Sequence, residues 1–415
     1  MKKTLFPVAL AIALAATACG GAVVGDDDGT TATDDATPSA ASTSPEDATT
    51  FAEDEVATPA IGALPEGPSA LDVRNAPEFP PPLVDPDDII SGGPPPDGIP
   101  PIDAPRFLDV ADGLERFDPA EAVVALEIDG DARAYPVQVM IWHEIVNDTV
   151  GGVPVAITYC PLCNSAVTYL REVRGVETTF GTSGSLFASA LVMYDRATES
   201  LWTHFDGRAV VGLLAGEELE AVASPLMAWA DFAGTYPMGR VLNPDATGFD
   251  RAYGRNPYFG YDNEQSEPFL FTGITDPRAV SKLRVVGVER DDAASAFSLE
   301  LVSEGLAEAT NATVGDDDIV IFWKAGQASA LDREGIDDGR DVGSVVVFLP
   351  EVDGATLTFS VAGDEFTDDQ TGSTWNLAGD AIAGELEGSR LEQIPHLDTF
   401  WFAWATYQPG TELVE

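Results

Sequence analysis

From about residue 105 onward the chain alternates short apolar runs with Gly, Asp and Pro. "AVVALEIDGDARAYPV" (122–137) places two strand-like runs on either side of an Asp-Gly pair, the pattern of a β-hairpin with a tight turn. "VPVAITY" (153–159) is a continuous apolar run of buried-strand length. In "VQVMIWHEIVND" (137–148), Val139, Ile141, Trp142, Ile145 and Val146 fall on one helical face, which predicts a short helix. "SPLMAWADFAGTYP" (224–237) predicts another, with Ser224 as N-cap and Pro225 in the first turn. The fold class that follows is α+β, predominantly β.

The pattern also repeats. Asp195, Thr198, Ser200 and Trp202 match Asp368, Thr371, Ser373 and Trp375 at a constant offset. After a one-residue slip, Gly207, Gly212, Leu219, Trp229 and Pro237 match Gly379, Gly384, Leu391, Trp401 and Pro409. "ARAYPV" aligns with "ASAFSL", and "VAITYCPLCNSA" with "VIFWKAGQASA". This predicts two degenerate tandem copies of one unit packed together, at 106–243 and 283–415, joined by a connector at 244–282. Where the first copy has Cys160 and Cys163, the second has Lys324 and Gln327, and it has no His opposite "WHEIVND". A pair needed for folding would be needed in both copies; a pair present in one reads as a site placed on a scaffold.

The N-terminal third reads differently. Residues 1–19 have two lysines, an apolar run and small residues before Cys19, a lipoprotein-type signal whose box departs from the usual Leu at Ala16. Residues 20–75 are Asp-, Thr-, Ala- and Ser-rich and read as a disordered acidic tether. Residues 76–105 (FPPPL, GGPPPDGIPP) read as a stiff spacer or a wrap along the domain surface. Lipid on Cys19 would anchor an extracytoplasmic protein to the bacterial cell membrane; cleavage without lipid would secrete it. The formal net charge is −49, and beyond the signal the lysines are Lys282 and Lys324 alone. Such a chain is incompatible with nucleic acid as a partner. The sequence identifies no protein partner.

With Cys19 assigned to lipid, Cys160 and Cys163 are the remaining thiols, three residues apart in "AITYCPLCNSAVTY". A C-x-x-C turn brings both sulfurs to one side, where they can bond to each other, hold a soft metal, or exchange disulfides. His143 is one of three histidines and lies a short connection upstream. Two thiolates and an imidazole are a copper(I) or zinc(II) ligand set, with His204 as a further candidate ligand and Met140 as a possible thioether. Glu144 is a candidate general base beside it. Arg255 and Asn256, in "YGRNPYFGYD", are weaker candidates for an anionic or carbonyl group. No P-loop, dinucleotide fingerprint, H-E-x-x-H or G-x-S-x-G is present.

"ARAYPVQVMIWHEIVNDTVGGVPVAITYCPLCNSAV", "MYDRATESLW", "YGRNPYFGYD" and "FWFAWATYQP" together resemble the DUF3179 family, bacterial secreted or membrane-associated proteins named as a domain of unknown function. The resemblance covers about 97–415 and supplies no activity. It implies Cys160, Cys163 and His143 as signature positions. Three readings stay open: soft-metal binding or handling, a thiol–disulfide oxidoreductase, and a scaffold lipoprotein with a structural Cys160–Cys163 disulfide.

Overall fold

A computed structural model describes residues 63–415. The signal segment, Cys19 and the tether up to residue 62 lie outside the described residues. The fold is predominantly β, built from several small sheets. Ala122–Ile128 and Asp131–Pro136 pair antiparallel, turning at Asp129 (φ 51°) and Gly130 (φ 82°). Two successive positive φ values are what a two-residue hairpin turn demands, and Asp-Gly meets them at low cost.

Three sheets order the first half. Leu226–Ala228, Ala122–Ile128, Asp131–Pro136, Arg240–Leu242 and Phe107–Asp109 form one. Ala221–Val222, Ser165–Leu170, Val153–Cys160 and Ile145–Val150 form the second. Ile90–Ser91, Phe180–Phe187, Ala190–Asp195, Leu201–Thr203 and Ala209–Val211 form the third. After residue 283 the sheets run Leu397–Phe400, Arg284–Arg290, Ala293–Ser298, Glu412–Val414; then Glu392–Gln393, Ser344–Leu349, Asp317–Lys324, Ala307–Val314; then Phe359–Ala362, Glu365–Asp368, Thr374–Trp375, Ala381–Ala383. In the first sheet of each half one pairing is parallel: Arg240–Leu242 on Asp131–Pro136, and Glu412–Val414 on Ala293–Ser298.

The D-x-x-T-x-S-x-W box has one geometry in both places. Asp195 accepts from the Thr198 amide and hydroxyl, the Ser200 amide and the Trp202 indole at 3.0 Å. Asp368 accepts from the Thr371 amide and hydroxyl, the Ser373 amide and the Trp375 indole at 3.0 Å. A buried carboxylate so surrounded is fully satisfied, which is why the four residue types recur together.

Two elements differ from the local pattern. The helix over 137–148 stops early: Val137–His143 is helical, Glu144 has φ 59°, and Ile145–Val150 is a strand. The helix starting at Ser224 begins instead at Trp229, without a side-chain cap, because Leu226–Ala228 pair with Val124–Ala122 as a strand. Long-range pairing overrides local propensity there.

The ordered part also reaches further towards the N-terminus than composition indicates. Ala70 is fully buried. The Arg74 guanidinium donates to the carbonyls of Pro86 and Ile89 and to Ser185 Oγ. The proline-rich stretch wraps the domain: Ile90 pairs with Leu186, the Asp97 amide donates to the Thr182 carbonyl, and Ile102 bridges to Val146. Residues 63–75 thus belong with the domain, not with a tether. Among the described residues no helix is long and apolar enough to cross a membrane.

Glu121 gives the fold a pH dependence. It is 4% exposed, and Gln138 Nε2 donates to both its oxygens at 2.8 and 2.9 Å. Burial pushes its carboxyl up to about 8 despite that bond, and Asp337 and Asp118 add to the rise. The native state therefore keeps a proton that the unfolded chain releases near the ordinary Glu value. Stability from this group is full below about pH 4.5 and is lost as pH rises to about 8. Glu121→Gln should remove that loss, a gain on the order of a few kcal/mol at pH 8 and little at pH 4. Thermal melts of both proteins across that range would check it; parallel curves would refute the assignment.

Candidate functional site

The cysteines form the turn of a hairpin. The apolar Val153–Cys160 strand pairs with Ser165–Leu170, ending at Cys160 opposite Ser165. Pro161 has no N–H to continue the ladder, and Asn164 takes φ 51°, a conformation Asn tolerates. Both thiols are free and buried, Cys160 at 1% and Cys163 at 0% exposure. The second half closes over them: the Phe400 amide (3.1 Å) and Thr399 Oγ1 (2.7 Å) donate to the Cys163 carbonyl. Asn164 Nδ2 donates to the Asp398 carbonyl at 3.4 Å. Asp398 is itself held by Arg284 through two bonds, Nε–Oδ1 at 3.1 Å and Nη2–Oδ2 at 2.5 Å, with both side chains buried.

The two sulfurs are electrostatically unlike. Burial works against a charge on Cys160, but the Cys163 thiol and the backbone amides of Cys163, Leu191 and Leu162 outweigh it and hold its thiol below the ordinary value. Burial, and then the charge on Cys160, push the Cys163 thiol well up. The pair is thus asymmetric, with Cys160 the more acidic thiol and Cys163 the one that holds its proton more tightly.

His204 reaches this pair through Ser165. Cys163 Sγ lies 3.0 Å from Ser165 Oγ, and Ser165 Oγ lies 2.8 Å from His204 Nε2. His204 Nδ1 lies 2.8 Å from Thr158 Oγ1. The ring is fully buried, and that burial lowers its basicity to about 3, so it is neutral at rest.

His143 is not brought to the sulfurs. Its Nδ1 contacts the Pro100 carbonyl at 2.6 Å and its Nε2 the Tyr253 hydroxyl at 2.6 Å, so both ring nitrogens are spent. Burial lowers its pKa to about 4. Met140 is fully buried in the core. Among the described residues no three His, Cys, Asp or Glu side chains are grouped as a metal ion requires. The expected Cys160–Cys163–His143 convergence therefore does not form, and His204 offers the pair a hydroxyl-relayed nitrogen rather than a direct ligand.

Glu144 does come to the site. The chain break after His143 turns it inward: its amide donates to the Met140 carbonyl (2.7 Å) and its carbonyl accepts from the Tyr159 amide (2.8 Å). Burial, then the Cys160 charge, raise its carboxyl well above the usual range. Arg255 and Asn256 are occupied elsewhere. Arg255 pairs with Glu334, and Asn256 Nδ2 donates to the Arg333 carbonyl while its Oδ1 accepts from the Tyr258 amide. That Asn-built turn carries the residues the sequence did not single out. Tyr258 and Tyr261 pack against the core that contains both cysteines. Burial raises both phenols, and the Cys160 charge raises them further. Lys282 Nζ sits 3.5 Å from the Tyr261 ring centroid. The signal for these residues was the tyrosine spacing of "YGRNPYFGYD".

A cleft of about 270 Å³ has Val167, Phe205, Asp206, Glu289 and Trp404 among its walls.

No curated protein and no solved structure matches the chain. The family model described as "Protein of unknown function (DUF3179)" matches residues 96–411, and the chain belongs to that family.

Proposed function

We propose that the protein is a thiol–disulfide exchange protein in which Cys160 attacks and Cys163 resolves. The observation that carries this reading is the hairpin turn that holds two free, buried thiols side by side in a C-x-x-C, with Cys160 the more acidic of the two. In the reaction, the Cys160 thiolate attacks one sulfur of a disulfide substrate and expels the other as a thiolate. Cys163 then attacks Cys160 Sγ, releasing the second substrate sulfur and leaving a Cys160–Cys163 disulfide. The substrate gains two electrons and the protein dithiol loses them; an external dithiol reverses the step. Glu144, whose carboxyl is raised by burial and by the Cys160 charge, is the candidate acid for a departing thiolate. The chain is read as two copies of one unit, supported by the matched strand orders and the twin Asp-centred boxes, and only the first copy carries the thiols. Lipid at Cys19 would place this centre outside the cytoplasm, where disulfide substrates persist.

Cys160 is 1% exposed, so exchange requires the site to open locally. The test is alkylation of reduced native protein with iodoacetamide at neutral pH, with equilibration against glutathione. Cys163→Ser should keep most of the fast thiol, whereas Cys160→Ser should slow alkylation by about 100-fold, following its loss of thiolate. A pair that never exchanges with glutathione defeats the redox reading. If copper(I) or zinc(II) then blocks both thiols in wild type and not in Cys160→Ser, metal handling takes its place.

A further inference from the structure

We infer that Ser165 and His204 form a proton relay that deprotonates Cys163 as it resolves the mixed disulfide, an inference that rests on the exchange reading above. The direction of the relay follows from counting hydrogens. Thr158 Oγ1 has one proton and donates it to the Val167 carbonyl at 2.6 Å. It can then only accept from His204, so Nδ1 carries the ring proton. Nε2 is left with its lone pair and accepts from the Ser165 hydroxyl at 2.8 Å. Once Cys160 is tied up in the mixed disulfide, the Cys163 S–H is free to turn to Ser165 Oγ, 3.0 Å away, whose own proton is committed to Nε2. Ser165, His204 and Thr158 then each have one donor and one acceptor in use, and the chain points from the thiol to the imidazole.

This geometry supplies what resolution needs. When Cys163 attacks Cys160 Sγ, its proton passes to Ser165 Oγ while the Ser165 proton passes to Nε2. Cys163 thiolate and His204 imidazolium arise together. As a neutral pair joined by a hydroxyl, they escape most of the burial penalty that either ion alone would carry. The S–S bond then forms, the substrate thiolate departs, and the imidazolium, left without its counter-charge, returns its proton to water. The cleft bounded by Val167 and Phe205 is the nearest space from which water can approach.

The second half is consistent with a relay that works as a unit. On the alignment that sets Cys163 against Gln327, Thr158 falls opposite Phe322, Ser165 opposite Ser329, and His204 opposite a gap. The one serine that remains turns elsewhere, to the Asp262 carboxylate. With the thiol gone, the histidine and the threonine that fixes its tautomer are gone too.

The experiment is a two-phase reaction of reduced full chain with 4,4′-dithiodipyridine. The first thiopyridone released reports Cys160 attack, and the second reports Cys163 resolution. Ser165→Ala should leave the first phase within a few-fold of wild type and slow the second by about 100-fold, the usual worth of positioned acid–base catalysis. Ser165→Thr, which keeps the hydroxyl, should restore most of the second phase. His204→Gln should slow it as Ser165→Ala does. The relay is overturned if Ser165→Ala, shown to be folded by its thermal melt, resolves as fast as wild type. It is also overturned if Ser165→Thr is as slow as the alanine variant. Absence of any first-phase release from native wild type overturns the exchange reading itself, and the relay with it.

Discussion

Asp398→Ala should destabilise the protein by about 3–5 kcal/mol, the cost of leaving a buried guanidinium without its partner. Arg284 and Asp398 side chains are 6% and 7% exposed, and their two bonds span neighbouring strands, Arg284–Arg290 and Leu397–Phe400. The Asp398 main chain also receives Asn164, and the next two residues bind the Cys163 carbonyl. The substitution should therefore raise the reactivity of Cys163 as well as lower stability, because the turn loses its backing. Urea unfolding measures the first effect and alkylation of Cys163 the second. Replacing both charges with apolar residues, Arg284→Met with Asp398→Leu, should cost much less than the single change. If the single variant unfolds at the wild-type urea midpoint, the pair does not hold the site together.

The hairpin at Asp129–Gly130 was readable because its cause is local: two residues that accept positive φ between two apolar runs. The Trp229 helix start was not. Leu226, Met227 and Ala228 look helical in isolation, and only the edge of the Ala122–Ile128 strand makes them extended. The docking of residues 63–75 was hidden for a related reason. Ala70 and Arg74 bring little apolar content, and what fixes them is a set of carbonyls and a serine far along the chain.

The site divides in the same way. Scarcity of cysteine pointed to Cys160 and Cys163, and the hairpin that carries them follows from its own strands. The histidine did not follow, because nearness in sequence favoured His143. One residue with positive φ, Glu144, sends the chain into a new strand, leaving His143 on Pro100 and Tyr253 and the carboxyl within reach of the Cys160 charge. His204 arrives by strand pairing, its amide donating to the Leu191 carbonyl at 3.0 Å. A signal was present: Thr158 and Ser165 are hydroxyls inside apolar strands, and buried hydroxyls need partners. Their partner could be named only once the Asp195 box fixed where Leu201–Thr203 lies.

Expressed alone, residues 97–245 should aggregate or remain partly unfolded. This fragment contains the thiols, the relay and, apart from the Ile90–Ser91 edge strand, three sheets, yet its apolar surface is completed by the second half. One core packs Cys160, Ile157 and Tyr169 with Val285, Phe400, Trp401 and Trp404. Another packs Val123, Trp229 and Phe232 with Phe322, Phe348 and Trp375. Across the cut, Phe205 stacks on Tyr407 with ring centroids 4.5 Å apart. Polar links cross as well: the Ala328 amide to the Ala120 carbonyl at 2.8 Å, the Ala228 amide to Ser344 Oγ at 2.9 Å, and Lys324 to Asp231 at 2.7 Å. Cutting at 245 strips several large aromatic side chains from each core, each worth about 3–5 kcal/mol when removed singly, against a total domain stability of about 5–15 kcal/mol. The exposed strands and aromatic faces then favour self-association. Size-exclusion profile, dye binding and the shape of the thermal melt would report the outcome. A monomeric fragment with a sharp cooperative melt would mean that the shared cores contribute far less than their burial implies. Adding residues 246–415 as a separate chain should rescue solubility, since these contacts between the two halves are non-covalent.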